Sequence, residues 1–371
     1  MTKDKPLRVL VVDDTIVYRK IVSDVLTEMP DVEVVGTANN GRIAVSKISS
    51  LKPDLLTLDV EMPEMDGIQV LEYLKKESLD IGAIMVSSLT QKGGDMTIRA
   101  LELGAFDFIP KPQKSSIEEN REEIKKTIAP MLKAFSRQSE IRSILGAKST
   151  HTGSSPGMGG SPIIRKPGKP LTVVSNREQG KSDIVAIGVS TGGPNALAMV
   201  IPKLPIDLGV PVLVVQHMPP VFTQSLAKSL DSKSAIAVKE AVDGENIRPN
   251  TVFIAPGGKQ MKVVANADGK NRLIRITDDP PENSCKPSVD YLLRAVAHQY
   301  MGRATGVIMT GMGSDGTTGL KLMRRNGSTI IAQNESTCVV YGMPKGPVDA
   351  GIVDVIAPLD SIAEEIRKTV K

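Results

Sequence analysis

Cysteine is nearly missing from this chain: there are two among 371 residues, Cys285 and Cys338, at no metal-like spacing. A disulfide framework needs several cysteines and a structural zinc site needs close pairs, so the sequence signals neither. Charge of one sign is also lacking. Lysine plus arginine (46) barely exceed aspartate plus glutamate (42), which gives no indication of a nucleic-acid partner. No uncharged apolar stretch approaches membrane-spanning length, and the N-terminal MTKDKPLRVLVVDD lacks the long apolar core of a signal peptide. A cytoplasmic protein without membrane insertion is expected. Histidine is scarce too, with three in all, which narrows the search for a general base.

What is present suits two domains, each able to bury a core. Between them, residues 146–182 hold six basic residues against one glutamate, with seven glycines, four prolines and six serines. Too little apolar surface is available there to offset the entropy of ordering, so a helix and a flexible basic linker are expected over 126–182. The short LTVVS within it is a candidate for docking on a domain.

Before the linker, over residues 5–125, β-branched runs alternate with amphipathic stretches. LRVLVVDD, VEVVGTA, DLLTLDV, GAIMVSS and DFIPKP read as strands with helices between them. Five βα repeats predict a doubly wound parallel sheet, whose functional residues gather at the carboxyl ends of the strands. Asp13 and Asp14 follow the first strand, Asp59 ends the third, and the fifth runs into Lys111. Three carboxylates at one edge repel unless a hard cation such as Mg²⁺ neutralises them, and the lysine suits a bound anion. Asp59 is then placed to attack a phosphoryl group.

VVDD, LDVEMPEMDG, MVSS and FIPKP together resemble the signature of two-component receiver domains, which have a flavodoxin-like five-stranded sheet. The resemblance implies Asp59 as phospho-acceptor, Asp13 and Asp14 as its partners in holding Mg²⁺, and Lys111 as the phosphoryl contact. It also places Ser87 at the hydroxyl switch position and Phe108 at the aromatic one.

Residues 183–371 contain DIVAIGVS, then the helix start TGGPNALAMVIPKL, then VPVLVVQHM, which together make a βαβ unit. Ser190 and His217 thus fall at the carboxyl ends of two parallel strands. A third such strand, ATGVIMTG, leads to Asp315. Serine, histidine and aspartate at one sheet edge form the arrangement that nucleophilic hydrolysis needs. The imidazole takes the hydroxyl proton, and the acid fixes the tautomer and stabilises the cation. His151 lies in the linker and His298 on the solvent side of a helix, so His217 is the base, with an expected pKa near the ordinary ~6.5. Glycines 188, 192 and 193 relieve crowding where strand turns into helix, and N–H groups at the helix start favour a developing oxyanion.

Nucleotide readings fit poorly. GVSTGG has Ser190 where a dinucleotide loop needs its second glycine, and QGKSD precedes a strand instead of following one. No basic helix-turn-helix appears in the second half.

IGVSTGGP, VVQHMPP, IAPGG, KPSVD, MTGMGSDG and AQNESTCVVYGMPK together resemble the catalytic domain of chemotaxis protein-glutamate methylesterases, the CheB family. The resemblance implies a doubly wound α/β methylesterase domain over 183–371. It also implies Ser190, His217 and Asp315 as its triad, with Met312 as an oxyanion donor and Thr191 and Gly192 beside the nucleophile. Its implied reaction is hydrolysis of glutamate γ-methyl esters on methyl-accepting chemoreceptors, with glutamine deamidation as a second activity and no cofactor for the ester step. A chemotaxis histidine kinase is the implied phosphodonor. The expected control is a receiver that covers the esterase edge until Asp59 is phosphorylated. The competing expectation is a phosphorylation-driven interaction module with vestigial hydrolase machinery.

Overall fold

The computed structural model describes residues 5–147, 171–172, 180–267, 269 and 271–370. The first half alternates β1 (Leu7–Val12), α1 (Ile16–Thr27), β2 (Val32–Ala38), α2 (Gly41–Leu51), β3 (Leu55–Asp59), α3 (Gly67–Lys76), β4 (Gly82–Ser87), α4 (Gln91–Glu102), β5 (Asp107–Pro110) and α5 (Ile117–Ala147). Its sheet runs β2-β1-β3-β4-β5, all parallel, as the five βα repeats predict. β3 is buried throughout because helices cover both faces, so its apolar run is continuous instead of alternating. Local signals set the helix starts: Asp66 accepts the Gln69 N–H at 2.8 Å while the Gln69 side chain accepts that of Asp66 at 2.9 Å, a capping box opening α3.

The expected linker falls largely on residues 148–170 and 173–179, outside the described residues. Its Leu171–Thr172 piece forms β6 and pairs antiparallel with a C-terminal strand. The second half then runs β7 (Val185–Val189), α6 (Gly193–Val200), β8 (Val212–Gln216), α7 (Phe222–Asp231), β9 (Ala237–Glu240), β10 (Thr251–Ile254), β11 (Gln260–Ala265), β12 (Arg272–Thr277), α8 (Val289–Tyr300), β13 (Thr305–Ile308), α9 (Thr317–Arg325), β14 (Thr329–Gln333), α10 (Lys345–Asp349), β15 (Val355–Ala357) and α11 (Ile362–Val370). The sheet order is β6-β15-β14-β13-β7-β8-β10-β9, parallel except for β6. From β7 the chain winds outward through β8, then returns to lay β13 on the other side. That reversal puts a topological switch point at the end of β7, where α/β sheets open a crevice. β11 and β12 form a separate antiparallel hairpin. The loop after it, from 278 to 287, leads back to this crevice.

The two halves touch. Helix α4 packs against α6 and α7, and the Phe108 and Phe222 rings lie 4.5 Å apart between centroids. Gln91 Nε2 donates to Ser225 Oγ at 3.1 Å, and Glu102 accepts from Ser229 and pairs with Lys233. One apolar cluster continues from Leu58 and Met85 through Phe108 to Met218 and Phe222. Among the described residues no helix is long and apolar enough to cross a membrane.

Candidate active site

At the carboxyl edge of the first sheet, Lys111 reaches two acids at once. Its Nζ donates to Asp59 Oδ2 at 2.6 Å and lies 3.0 Å from Asp13 Oδ2. That second contact is an ion pair outside hydrogen-bond geometry, since Asp13 Oδ2 is buried without a hydrogen-bond donor. Burial, then the neighbouring Asp13, pushes the Asp59 carboxyl up to about 6 against the pull of Lys111. Burial likewise raises Asp13, while the two acids hold the Lys111 ammonium above its ordinary range against its own burial. Two buried carboxylates thus share one cation, with exposed Asp14 beside them. Carboxylate oxygens of Asp13, Asp14 and Asp59 lie within 4.8 Å of one another. This all-oxygen set with an unsatisfied buried lone pair fits a hard divalent cation such as Mg²⁺. Ser87, fully buried, accepts from Thr97 Oγ1 at 2.8 Å, and Phe108 is buried against Phe222.

In the second sheet β7 lies between β13 and β8. The loops after these three strands carry Ser190, His217 and Asp315, so side chains far apart in sequence share one edge. The His217 N–H donates to Val189 O at 3.1 Å, and Gln216 Nε2 donates to Ser190 O at 3.1 Å, tying the two loops together. Ser190 is half-buried, and its Oγ makes no hydrogen bond among the described residues. Two glycines permit this turn. Gly192 has φ +75°, a left-handed conformation that side chains resist, and a Cβ on Gly311 would lie 2.7 Å from Ser190 Cβ.

Asp315 is the most heavily hydrogen-bonded group of the site. Its Oδ2 sits 2.8 Å from His217 Nε2 and accepts the Val289 N–H at 2.7 Å. Its Oδ1 accepts from Asn283 Nδ2, Ser288 Oγ and the N–H groups of Asp290 and Gly316 at 3.0–3.1 Å. Burial opposes its charge, yet the bonds from His217 and these N–H groups win and hold its pKa at about 2. For His217 burial also disfavours the cation, but the bonds to Asp315 and Cys285 outweigh it and raise the imidazole to about 9. The ordinary value expected from the residue type is therefore displaced upward, because the acceptor facing Nε2 is a buried carboxylate.

With Nε2 committed to Asp315, Nδ1 is the nitrogen left to exchange a proton. It faces Cys285 Sγ at 3.7 Å. Met312, half-buried, follows Gly311 at the end of the β13 loop. Its backbone N–H, like those of Thr191 and Gly192, has no backbone acceptor among the described residues. Those of Thr191 and Gly192 stand at the N-terminus of α6, beside Ser190, while Met312 follows Gly311, whose backbone packs against Ser190.

The first domain reaches this edge. The Thr191 side chain lies beside the Asp107 carboxyl of the first domain, and both residues are buried. Burial pushes the Asp107 carboxyl up to about 6 against the bond from the Phe108 N–H and the lowering influence of the nearby Thr191 hydroxyl. Val339, which a Cβ on Gly192 would meet at 2.6 Å, packs against the apolar cluster of the first domain.

Sequence reasoning missed Cys285, Asn283 and the Asp107–Thr191 contact. Each depends on loops brought together from distant segments, and only KPSVD, whose Ser288 caps α8 and binds Asp315, carried a local signal. His298 is exposed, as its helix spacing predicts.

Two family models match the chain: "CheB methylesterase" over residues 185–366 and "Response regulator receiver domain" over 9–122. A protein-glutamate methylesterase/protein-glutamine glutaminase of Desulfotalea psychrophila is 53% identical over 99% of both chains. A protein of the same name from Bacillus subtilis is 46% identical, over 98% of this chain and 99% of its own. The crystal structure of the Thermotoga maritima CheB methylesterase catalytic domain is 44% identical over 51% of this chain and 98% of that one, with TM-score 0.49.

Proposed function

Because this chain belongs to the protein-glutamate methylesterase/protein-glutamine glutaminase family, we propose that it hydrolyses glutamate γ-methyl esters of chemoreceptors under control of its own receiver domain. The observation that carries the reading is the meeting of Ser190, His217 and Asp315 at the ends of three adjacent parallel strands. Ser190 Oγ attacks the ester carbonyl and its proton passes to His217 Nδ1. Asp315 holds Nε2–H and stabilises the imidazolium. The N–H groups of Thr191, Gly192 and Met312 are the donors available to the oxyanion. Collapse of the intermediate returns the proton to the departing methoxide, giving methanol and an acyl-enzyme. Water then attacks with His217 again as base, leaving the glutamate carboxylate. Glutamine presents the same acyl centre with ammonia as leaving group, which makes deamidation the second activity.

Asp59 is the phospho-acceptor, supplied by a histidine kinase of the chemosensory pathway. Asp13, Asp14 and Asp59 would hold Mg²⁺, which supplies charge neutralisation for phosphoryl transfer. Lys111, Ser87 and Phe108 relay the change. The support for occlusion is Thr191, next to the nucleophile and buried under Asp107 of the receiver. An interaction module with vestigial hydrolase machinery is not favoured, since the family resemblance spans the full chain and the triad residue types are all present.

The test is methanol release from methylated receptor membranes, with and without a small phosphodonor. Release should rise with the phosphodonor and fall by on the order of 10⁶-fold in Ser190→Ala. Near-normal release from that variant rules out the nucleophile assignment.

A further inference from the structure

We propose that Cys285 and His217 form a binding site for a thiophilic divalent cation such as Zn²⁺, and that its occupation silences the esterase. The Cys285 Sγ to His217 Nδ1 separation is 3.7 Å. A tetrahedral zinc with Zn–S of ~2.3 Å and Zn–N of ~2.05 Å spans its two ligands by ~3.6 Å, so an ion fits between these atoms with almost no movement. The imidazole is oriented for it. Asp315 holds Nε2 at 2.8 Å and is itself fixed by bonds from Ser288, Val289, Asp290 and Asn283. A carboxylate behind a ligating histidine is the outer-shell arrangement that sets the tautomer and strengthens the ligand.

Cys285 is partly exposed, so an ion has a path to the sulfur, and among the described residues the thiol's other partner is the Asn283 carbonyl at 3.4 Å. The nitrogen and sulfur donors differ in kind from the all-oxygen set of Asp13, Asp14 and Asp59. Soft donors select zinc and oxygen donors select magnesium, so the two sites take different metals. Binding expels the thiol proton and, below about pH 9, the Nδ1 proton of the imidazolium as well, and the metal then occupies the Nδ1 lone pair, leaving Ser190 without an acceptor for its proton. The second half of this inference rests on His217 being the esterase base; the first half does not.

The test uses the full-length protein, stripped with EDTA and titrated with Co²⁺ and with Zn²⁺. Co²⁺ should give a thiolate-to-cobalt charge-transfer band that Zn²⁺ displaces. Cys285→Ser should abolish the band and Cys338→Ser should keep it. Zn²⁺ should suppress methanol release reversibly in the parent. The concentration needed should rise in Cys285→Ser by more than the ~10–100-fold typical of losing an outer-shell group. Each variant is compared with its own metal-free rate. A band that survives in Cys285→Ser, or unchanged zinc sensitivity there, overturns the site. A normal band with undiminished methanol release at saturating Zn²⁺ leaves the metal site standing and overturns its link to the base.

Discussion

Gly94 offers a way to separate the domains without touching either site. It lies in α4, where a Cβ would come 2.9 Å from Ser225 Oγ and 3.4 Å from Val221 Cγ1 of the opposing domain. Replacing Gly94 with Leu drives a branched side chain into that contact, and overpacking of this kind costs ~1–3 kcal/mol. The cost falls on the closed arrangement alone. Within the receiver, exchanging a helical glycine for leucine gains up to ~1 kcal/mol, so loss of folding does not confound the result. If closure occludes Ser190, a penalty of ~1–3 kcal/mol raises the open population by ~5–150-fold, up to the ceiling of a fully open enzyme. Methanol release without phosphodonor should rise by that factor, and a phosphodonor should then add little. Gly94→Ala, with a single methyl, should lie between the parent and Gly94→Leu. A Gly94→Leu protein with the parent's basal rate and the parent's response to phosphorylation refutes control through this interface.

The remaining predictions concern the two sites. Because His217 is raised to about 9, its neutral basic form is depleted as pH falls below that value. Methanol release should therefore climb through pH 8–9 instead of levelling near ~6.5, and Cys285→Ser, which removes one cause of the rise, should move this limb to lower pH. The same shift stabilises the fold fully below ~6.5 and the contribution is lost as pH climbs through about 9, so thermal melts of the parent and of His217→Ala should converge at the alkaline end. Asp315→Asn must turn an amide N–H₂ toward donors at one oxygen or the other, at ~1–3 kcal/mol for each group left unpaired. Its melting temperature should drop and its activity fall by ~10⁴, as the same change does in serine proteases; activity within tenfold of the parent would count against Asp315 as the orienting acid. Asp59→Asn should stay at the basal rate whatever the phosphodonor, measured by the same methanol assay.

The two doubly wound sheets were legible in sequence because a buried parallel strand demands a continuous apolar run and its helix an amphipathic one. Both patterns are local. Asp13, Asp59 and Lys111 could be placed at one edge for the same reason, since strand ends in a parallel sheet coincide. The adjacency of β7 and β8 followed from a short βαβ connection, and the topology then put β13 on the other flank of β7. What sequence could not supply was everything governed by packing between distant segments. The loop from 278 to 287 is held at His217 by Gln260 of β11, which donates to Pro280 O and Cys285 O, so Cys285 gave no sign of facing an imidazole 68 residues away. The same holds for charge: His217 has an ordinary pKa as a residue type, and only the buried, fully bonded Asp315 and the Cys285 thiol brought against its ring move that value to about 9. The contact of Asp107 with Thr191 belongs to neither domain's own pattern. It exists because α4 and Phe108 find a complementary surface on α7 and Phe222, and such complementarity is a property of shapes in space, which periodicity along a chain does not encode.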